Sequence, residues 1–211
     1  MPFRLRDCLP FSGFGAQGFK FLETGRLIDQ ELELVPPSEQ WIDAMLAACR
    51  HPLSLEKSPA LADASRQQFL EFVKSCPQGR QPANASAGIA PAYHFWMLVC
   101  DNPQPAIAGG INLRIGNQYD LVMYNGQVGY HVYPQARGRH YAERACRLLF
   151  PLALRHAINP LWITCNPDNF ASRRTCERLG GKLVEIVPVP PEHSLYARGE
   201  REKCRYRIDL T

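Results

Sequence analysis

Several absences narrow the chain before any motif is read. No window approaches the roughly 18 uninterrupted apolar residues needed to span a bilayer, so no membrane segment is expected. The opening residues, Met1-Pro2-Phe3-Arg4-Leu5-Arg6-Asp7, lack the apolar stretch of a secretory leader. No two of the eight cysteines lie within three residues of each other, which excludes a CxxC ligand or redox pair. The six histidines show no HExxH or other metal spacing, and no metal is expected. There is no internal repeat and no Gly-Lys-Ser/Thr triphosphate loop. Charge excess is small: 24 Lys plus Arg against 20 Asp plus Glu leave +4, too little to imply a nucleic-acid partner. A reducing, cytoplasmic setting with thiols used as small hydrophobes is the expectation.

What is present fits a globular chain. Of 211 residues, 45% are apolar and 10% aromatic. That length suits one domain with an extension and buries roughly 70% of the unfolded surface, so no staple is needed. Residues 1–30 read as an N-terminal extension of unclear structure, and 31–211 as a single domain. The extension holds Gly13-Phe14-Gly15-Ala16-Gln17-Gly18, which spells GxGxxG. The flanking strand and helix that a dinucleotide site requires are missing, so it reads as a loop.

Glu31–Val35 alternates as a strand, and Ser38 is an N-cap signal for a helix to about Arg50. A second helix starts near Ser65, and 77–92 reads as a loop. Strands are expected at Tyr93–Cys100, Ala106–Ile115 and Gln127–Tyr133. A helix over Gly138–His156 follows, with a kink at Pro151. Leu161–Cys165 is a buried strand. Asn166-Pro167-Asp168 opens a helix that Gly180-Gly181 ends, before strands at Lys182–Val189 and Lys203–Leu210. Lys203, Arg205 and Arg207 alternate and read as a solvated basic face, with a binding patch for an acidic group as the alternative. The order implies α/β architecture with a partly antiparallel sheet.

The densest chemistry lies at Gly129–Ala142. A strand stops at Pro134, a short turn carries Gly138, and a helix begins. Free N–H groups at a helix start favour an anion of phosphate type. Gly138 permits close backbone approach, and Arg137 and Arg139 add positive charge. A pyrophosphate-like group is the expected occupant.

These residues resemble the GNAT superfamily of acetyl-CoA-dependent N-acetyltransferases. Its pattern is Gln/Arg-x-x-Gly-x-Gly/Ala between a strand and a helix; Gln135 and Gly138 match, while His140 departs from Gly/Ala. Asn169-x-x-Ser172 and Glu177-x-x-Gly180 resemble a later family segment, and Asn-x-x-Ser is similar to the branch that acetylates ribosomal protein N-termini. The resemblance covers about Tyr93–Leu210. It implies a mixed, largely antiparallel central sheet with helices on both faces, and acetyl-CoA as cosubstrate. It further implies cofactor contacts at Val132, Gln135, Arg137, Gly138, Arg139, His140, Tyr141, Ala142 and Asn169. Asn169, Ser172, Cys176 and Leu179 share one helix face, which in the family looks onto the acyl arm. Many members carry a Tyr acid where Cys176 stands.

The resemblance implies transfer of an acetyl group to a primary amine by direct attack. The N–H near Val132 would stabilise the oxyanion and Ser172 would protonate the leaving thiolate. His131 or Tyr130 would accept the amine proton. They lie on opposite strand faces, so one of them reaches the site. The acceptor reads as a small-molecule amine. The alternatives are a protein N-terminus and a non-catalytic acyl-CoA-binding module, the latter suggested by His140 and Cys176. Homodimerisation stays open. Plain packing remains the competing account of His131, Ser172 and Cys176, and segments 10–30, 51–92 and 116–126 are expected to shape the acceptor pocket.

Overall fold

The computed structural model describes residues 19–84, 88–101 and 104–211. The Gly13–Gly18 segment lies outside them. In chain order come strands β1 (Leu27–Asp29) and β2 (Leu32–Val35), then helices α1 (Ile42–Arg50), α2 (Pro52–Lys57) and α3 (Arg66–Ser75). Strands β3 (Arg80–Gln81), β4 (Ala92–Val99), β5 (Ala106–Arg114) and β6 (Val128–Val132) precede helix α4 (Tyr141–Arg155). Then follow β7 (Leu161–Cys165), α5 (Phe170–Arg178), β8 (Lys182–Pro188), α6 (Ser194–Ala197) and β9 (Glu202–Ile208). The strands form one sheet ordered β1-β2-β4-β5-β6, with β3 on β4, and a second ordered β7-β9-β8. Every pairing among the described residues is antiparallel. This is the α/β, largely antiparallel architecture expected.

Alternation along β4 explains the layers. Tyr93, Phe95, Met97 and Val99 point into one core, where α4 presents Ala145, Cys146, Leu149 and Leu152. Trp96 and Leu98 point the other way, into a core built by Ile42, Met45 and Cys49 of α1, with Phe69 of α3 against it. Each buried Leu or Met contributes about 1.5–3 kcal/mol of transfer free energy. Ser65 closes a capping box with Gln68, which starts α3 where expected. Ser38 makes no side-chain cap bond; a 3-10 turn over Glu39–Trp41 leads into α1 instead. Helix α4 continues across Pro151 without interruption. Helix α5 starts at Phe170, because Asn169 rather than the Asn166 segment caps it.

Three features differ from the sequence reading. Residues 19–29 join the domain: β1 pairs with β2, Phe21 packs edge-on against Tyr93 at 5.0 Å, and Tyr93 Oη accepts from Leu22 N–H at 2.6 Å. Residues 77–84 and 88–92 are partly ordered, with β3 and a bridge between Asn84 and Ile89. The basic stripe on β9 is not solvated: Arg205 is fully buried, Lys203 is 7% exposed, and Arg207 alone stays outside. The cause is position, since β9 is the central strand of its sheet. Arg205 pairs with Glu185, donates Nε–H to the Val122 carbonyl at 3.1 Å and stacks on Trp162 at 4.4 Å.

Arg144 ties α4 to the sheet edge through Asp29 (2.6 Å) and Glu31 (2.7 Å). Its guanidinium holds the Glu31 carboxyl down at about 2, against an ordinary 4.5. A depressed carboxyl contributes stability that is present above the unfolded value and lost as pH falls through the folded one. Denaturant stability should therefore drop between about pH 4.5 and pH 2. Arg144→Met should be less stable at neutral pH and show a shallower acid loss, measured by urea unfolding across that range.

Candidate active site

Among the described residues, Gln127 carries the backbone hydrogen bond between the two sheets. Gln127 N–H donates to the Trp162 carbonyl, and Trp162 N–H donates back to Gln127 Oε1, both at 2.8 Å. Gln127 Nε2 donates to the Gly116 carbonyl (2.8 Å) and Asn117 Oδ1 (2.9 Å), so this fully buried amide is satisfied. Gly126 sits at the same junction, where a Cβ would lie 2.9 Å from the Thr164 nitrogen. Before it, Leu121–Asn125 forms a wide turn closed by Gly126 N–H on the Leu121 carbonyl, the i→i+5 bond common at functional sites. Beyond Gln127, β6 and β7 belong to different sheets. A cleft of about 260 Å³ opens between them, lined by Gly129 and Tyr130 on one side and Ile163, Cys165, Asn169 and Ser172 on the other.

Register decides what β6 offers to that cleft. Tyr133 N–H bonds to the Ala108 carbonyl, and the Gln127 carbonyl accepts from Arg114 N–H. Antiparallel pairs alternate, so Gln127, Gly129, His131 and Tyr133 bond to β5. Val128, Tyr130 and Val132 therefore turn their amides to the open edge. The Val132 carbonyl on that edge accepts from Arg137 Nε at 3.2 Å. Gly109 makes the close approach possible, since a Cβ there would stand 2.0 Å from the His131 carbonyl oxygen.

Side chains follow the same alternation. Tyr130 points towards α5, where its hydroxyl and Ser172 Oγ share a hydrogen bond at 2.9 Å. Asn169 Oδ1 accepts from Ser172 N–H at 3.1 Å, which caps α5 and fixes Ser172 one turn in. Burial pushes the Tyr130 phenol well above its ordinary value, so it is a protonated donor at neutral pH. Cys176, behind this pair, is completely buried, as a small packing residue should be. Its thiol is pushed up by hydrogen bonding to Cys165 and by burial, which removes nucleophilic character. Cys165 goes the other way, because Cys176 and Ser172 hydrogen-bond to it.

His131 points to the opposite face, over Gly110, where a Cβ would meet the ring at 2.8 Å, and edge-on to Tyr133 at 5.3 Å. The residue is exposed, yet the protein surrounding the ring holds its pKa below the ordinary 6.5, so it is neutral at pH 7. Tyr130 and His131 therefore do not converge.

The turn before α4 has two left-handed residues, Gly138 (φ 84°) and His140 (φ 58°). The first α4 bond is Arg144 N–H to the His140 carbonyl, so the preceding amides have no helical acceptor. A non-glycine residue there costs roughly 1–2 kcal/mol; Arg178 Nη1 donates to His140 Nδ1 at 2.6 Å and holds it. Tyr141 is buried, Ala142 lies in the first turn, and Arg139 pairs with Asp101 at 2.8 Å. Gln135 turns inward: its Oε1 accepts from Ser54 Oγ (2.8 Å) and its Nε2 donates to the Ala48 carbonyl (3.1 Å), bracing α1 and α2. Among the described residues no cluster could hold a metal ion and no helix is long and apolar enough to cross a membrane.

A strand, a turn whose helix-start amides lack helical acceptors, and a second strand splayed from the first form a recognised arrangement. The family model described as an acetyltransferase (GNAT) domain matches residues 31–182. The chain belongs to the GNAT acetyltransferase family. It is an acyl-CoA N-acetyltransferase by that membership. No curated protein matches the sequence. Solved structures share the GNAT fold at low identity. A protein from Vibrio cholerae assigned as a ribosomal-protein-serine acetyltransferase is 18% identical, with 87% of this chain and 97% of that one covered and a TM-score of 0.60. The ribosomal alpha-N-protein acetyltransferase RimL, in complex with coenzyme A, is 16% identical over 88% and 98% of the two chains, TM-score 0.62. The microcin C7 self-immunity acetyltransferase MccE, with acetyl-CoA and AMP, is 14% identical over 86% and 94%, TM-score 0.60.

Within this GNAT fold, sequence reading missed part of the cleft wall. Arg114, Arg198, Glu200 and Lys203 line it. His193 anchors the loop that delivers Arg198 and Glu200: Nε2 pairs with Asp120 at 2.7 Å, and Nδ1 accepts from Leu195 N–H at 3.1 Å, while Lys203 stands on β9. Gln127 is the other omission, and its replacement tests the junction. Gln127→Met leaves the Trp162 N–H without an acceptor, which costs about 1–3 kcal/mol. Equilibrium unfolding should show that loss, equal to roughly 2–12 °C in Tm at this size.

Proposed function

We propose that the protein moves an acetyl group from acetyl-CoA to a primary amine of a small molecule, by direct attack of the amine on the thioester. The observation that carries this reading is the Tyr130–Ser172 hydroxyl pair, 2.9 Å apart and beside the open edge of β6. Acetyl-CoA supplies an activated acyl group; the remaining chemistry belongs to the chain.

The residues present fit that donor. The amides around Gly138 and His140 suit a pyrophosphate, with Arg137 beside them. The edge amides of Tyr130 and Val132 suit an extended pantetheine arm, and the Val132 N–H suits the oxyanion that develops on the thioester carbonyl. Holding both reactants in one cleft supplies much of the rate. The hydroxyl pair protonates the departing thiolate. Tyr130 thereby serves as the hydroxyl that Cys176 does not provide, reaching the spot from β6 instead of α5. His131, neutral and on the acceptor side of the strand, takes the amine proton through water. The two faces of one strand then carry opposite proton tasks, which favours catalysis over a merely acyl-CoA-binding role.

Acetyl-CoA at 100 times its Kd should stabilise the protein by about 2.7 kcal/mol in a thermal-shift assay, while an absent shift contradicts donor binding. Ser172→Ala and Tyr130→Phe should each lower kcat about 10–100-fold with little change in acetyl-CoA affinity. The double variant should be little worse than either, because the hydroxyls act as one unit. Release of free thiol, scored against an amine and peptide panel, measures all of these.

A further inference from the structure

The cleft that holds the Tyr130–Ser172 pair carries unbalanced charge. Three cations line it, Arg114, Arg198 and Lys203, against one carboxylate, Glu200. Lys203 is accounted for: it pairs with Glu200 and donates to Asn166 Oδ1 at 2.8 Å. Arg198 has no carboxylate partner among the described residues. Arg114 has none either. Its Nη1 donates to the Asn125 and Gly126 carbonyls, at 3.1 and 2.9 Å, which aims the guanidinium without neutralising it. Burial alone accounts for the lowering of its pKa, with no anion offsetting it. A half-buried guanidinium without a counter-ion is incompletely compensated, and a carboxylate ligand would supply the missing charge.

Placement ties this charge to the reaction. Arg114 Nη2 lies 3.0 Å, and Asn112 Oδ1 3.2 Å, from the point where a Cβ on Gly129 would stand. The absence of a side chain at Gly129 therefore lets both groups lie over β6, one residue from Tyr130. Asn112 Oδ1 is buried and has no hydrogen-bond partner among the described residues. A planar fork suits a carboxylate in bidentate fashion. A polycationic amine would meet repulsion here. The volume, about 260 Å³, is at the small end for ligand pockets.

Resting on the acetyltransferase reading above, we propose that the acceptor is a small amino carboxylate, with Arg114 binding its carboxylate and Arg198 adding attraction at the mouth. The experiment compares free amino acids with their decarboxylated amines and with short acidic peptides, scored by thiol release from acetyl-CoA. The expected result is a kcat/KM at least 10-fold higher for an amino acid than for its decarboxylated partner. Arg114→Met should cut the amino-acid value at least 10-fold, cut the decarboxylated amine less than 3-fold, and leave acetyl-CoA affinity unchanged. Arg198→Glu, at an exposed position, serves if Arg114→Met fails to fold; it should raise KM for the amino acid several-fold and spare the uncharged-tail amine. Equal losses for both substrate types, a preference for amines without an anion, or a preference for acidic peptides over free amino acids would overturn the proposal. Acetyl-CoA stabilisation without acetylation of any amino carboxylate overturns it too, while leaving the donor reading intact. Absence of acetyl-CoA stabilisation instead defeats the donor reading itself.

Discussion

Gln127 is fully buried and joins the two sheets through its backbone and its side chain. Past that point β6 has a partner on one side only. Buried backbone groups normally find partners, so an open edge between two sheets amounts to a row of donors and acceptors for a ligand. The junction also sets the hinge of the cleft. Gly126 lets the backbone reach β7, and the Gln127 amide ties the preceding Gly116–Asn117 segment to the same spot. That lock, together with the core that Val128 shares with Ile163 and Cys165, sets the separation of β6 and β7 and so the Tyr130–Ser172 contact across the cleft.

The period of two along β6 then distributes the chemistry. Even-numbered residues turn amides to the cleft and side chains to the α4–α5 layer, where Tyr130 meets Ser172. Odd-numbered residues bond to β5 and send side chains to the other layer, where His131, Gly129, Asn112 and Arg114 gather. In the proposed reaction, the donor's leaving group is served by one layer and the acceptor by the other. The strand is the partition between them. Two glycines of β5, at 109 and 110, give β6 and the His131 ring their room.

Local patterns were legible where local physics decides them. The β4 and β5 strands, α4 with its 3.6-residue stripe, the Ser65 cap and the Gly138 turn all follow from short-range rules. So did the opposed faces of Tyr130 and His131. What failed to show was long-range. Lys203 and Arg205 alternate like surface residues, yet β9 is sandwiched between β7 and β8, and their partners Glu200 and Glu185 come from other elements. Gln135 matches the family pattern, but its amide is captured by Ser54 and Ala48 from the α1–α2 junction. Arg114 and Arg198 sit in unremarkable sequence, and only the fold brings them to one cleft. Tyr130 as a partner for Ser172 required the pairing of β6 against α5, which no spacing rule encodes.

Amide-resolved hydrogen exchange, with and without acetyl-CoA, tests the central claim most directly. The open-edge account expects slowed exchange at Tyr130 and Val132 and at the Gly138–Ala142 amides once acetyl-CoA is bound. Gly129 and His131, already bonded to β5, should change little. Binding that leaves Tyr130 and Val132 unprotected, or that protects a different face of the sheet, would contradict it.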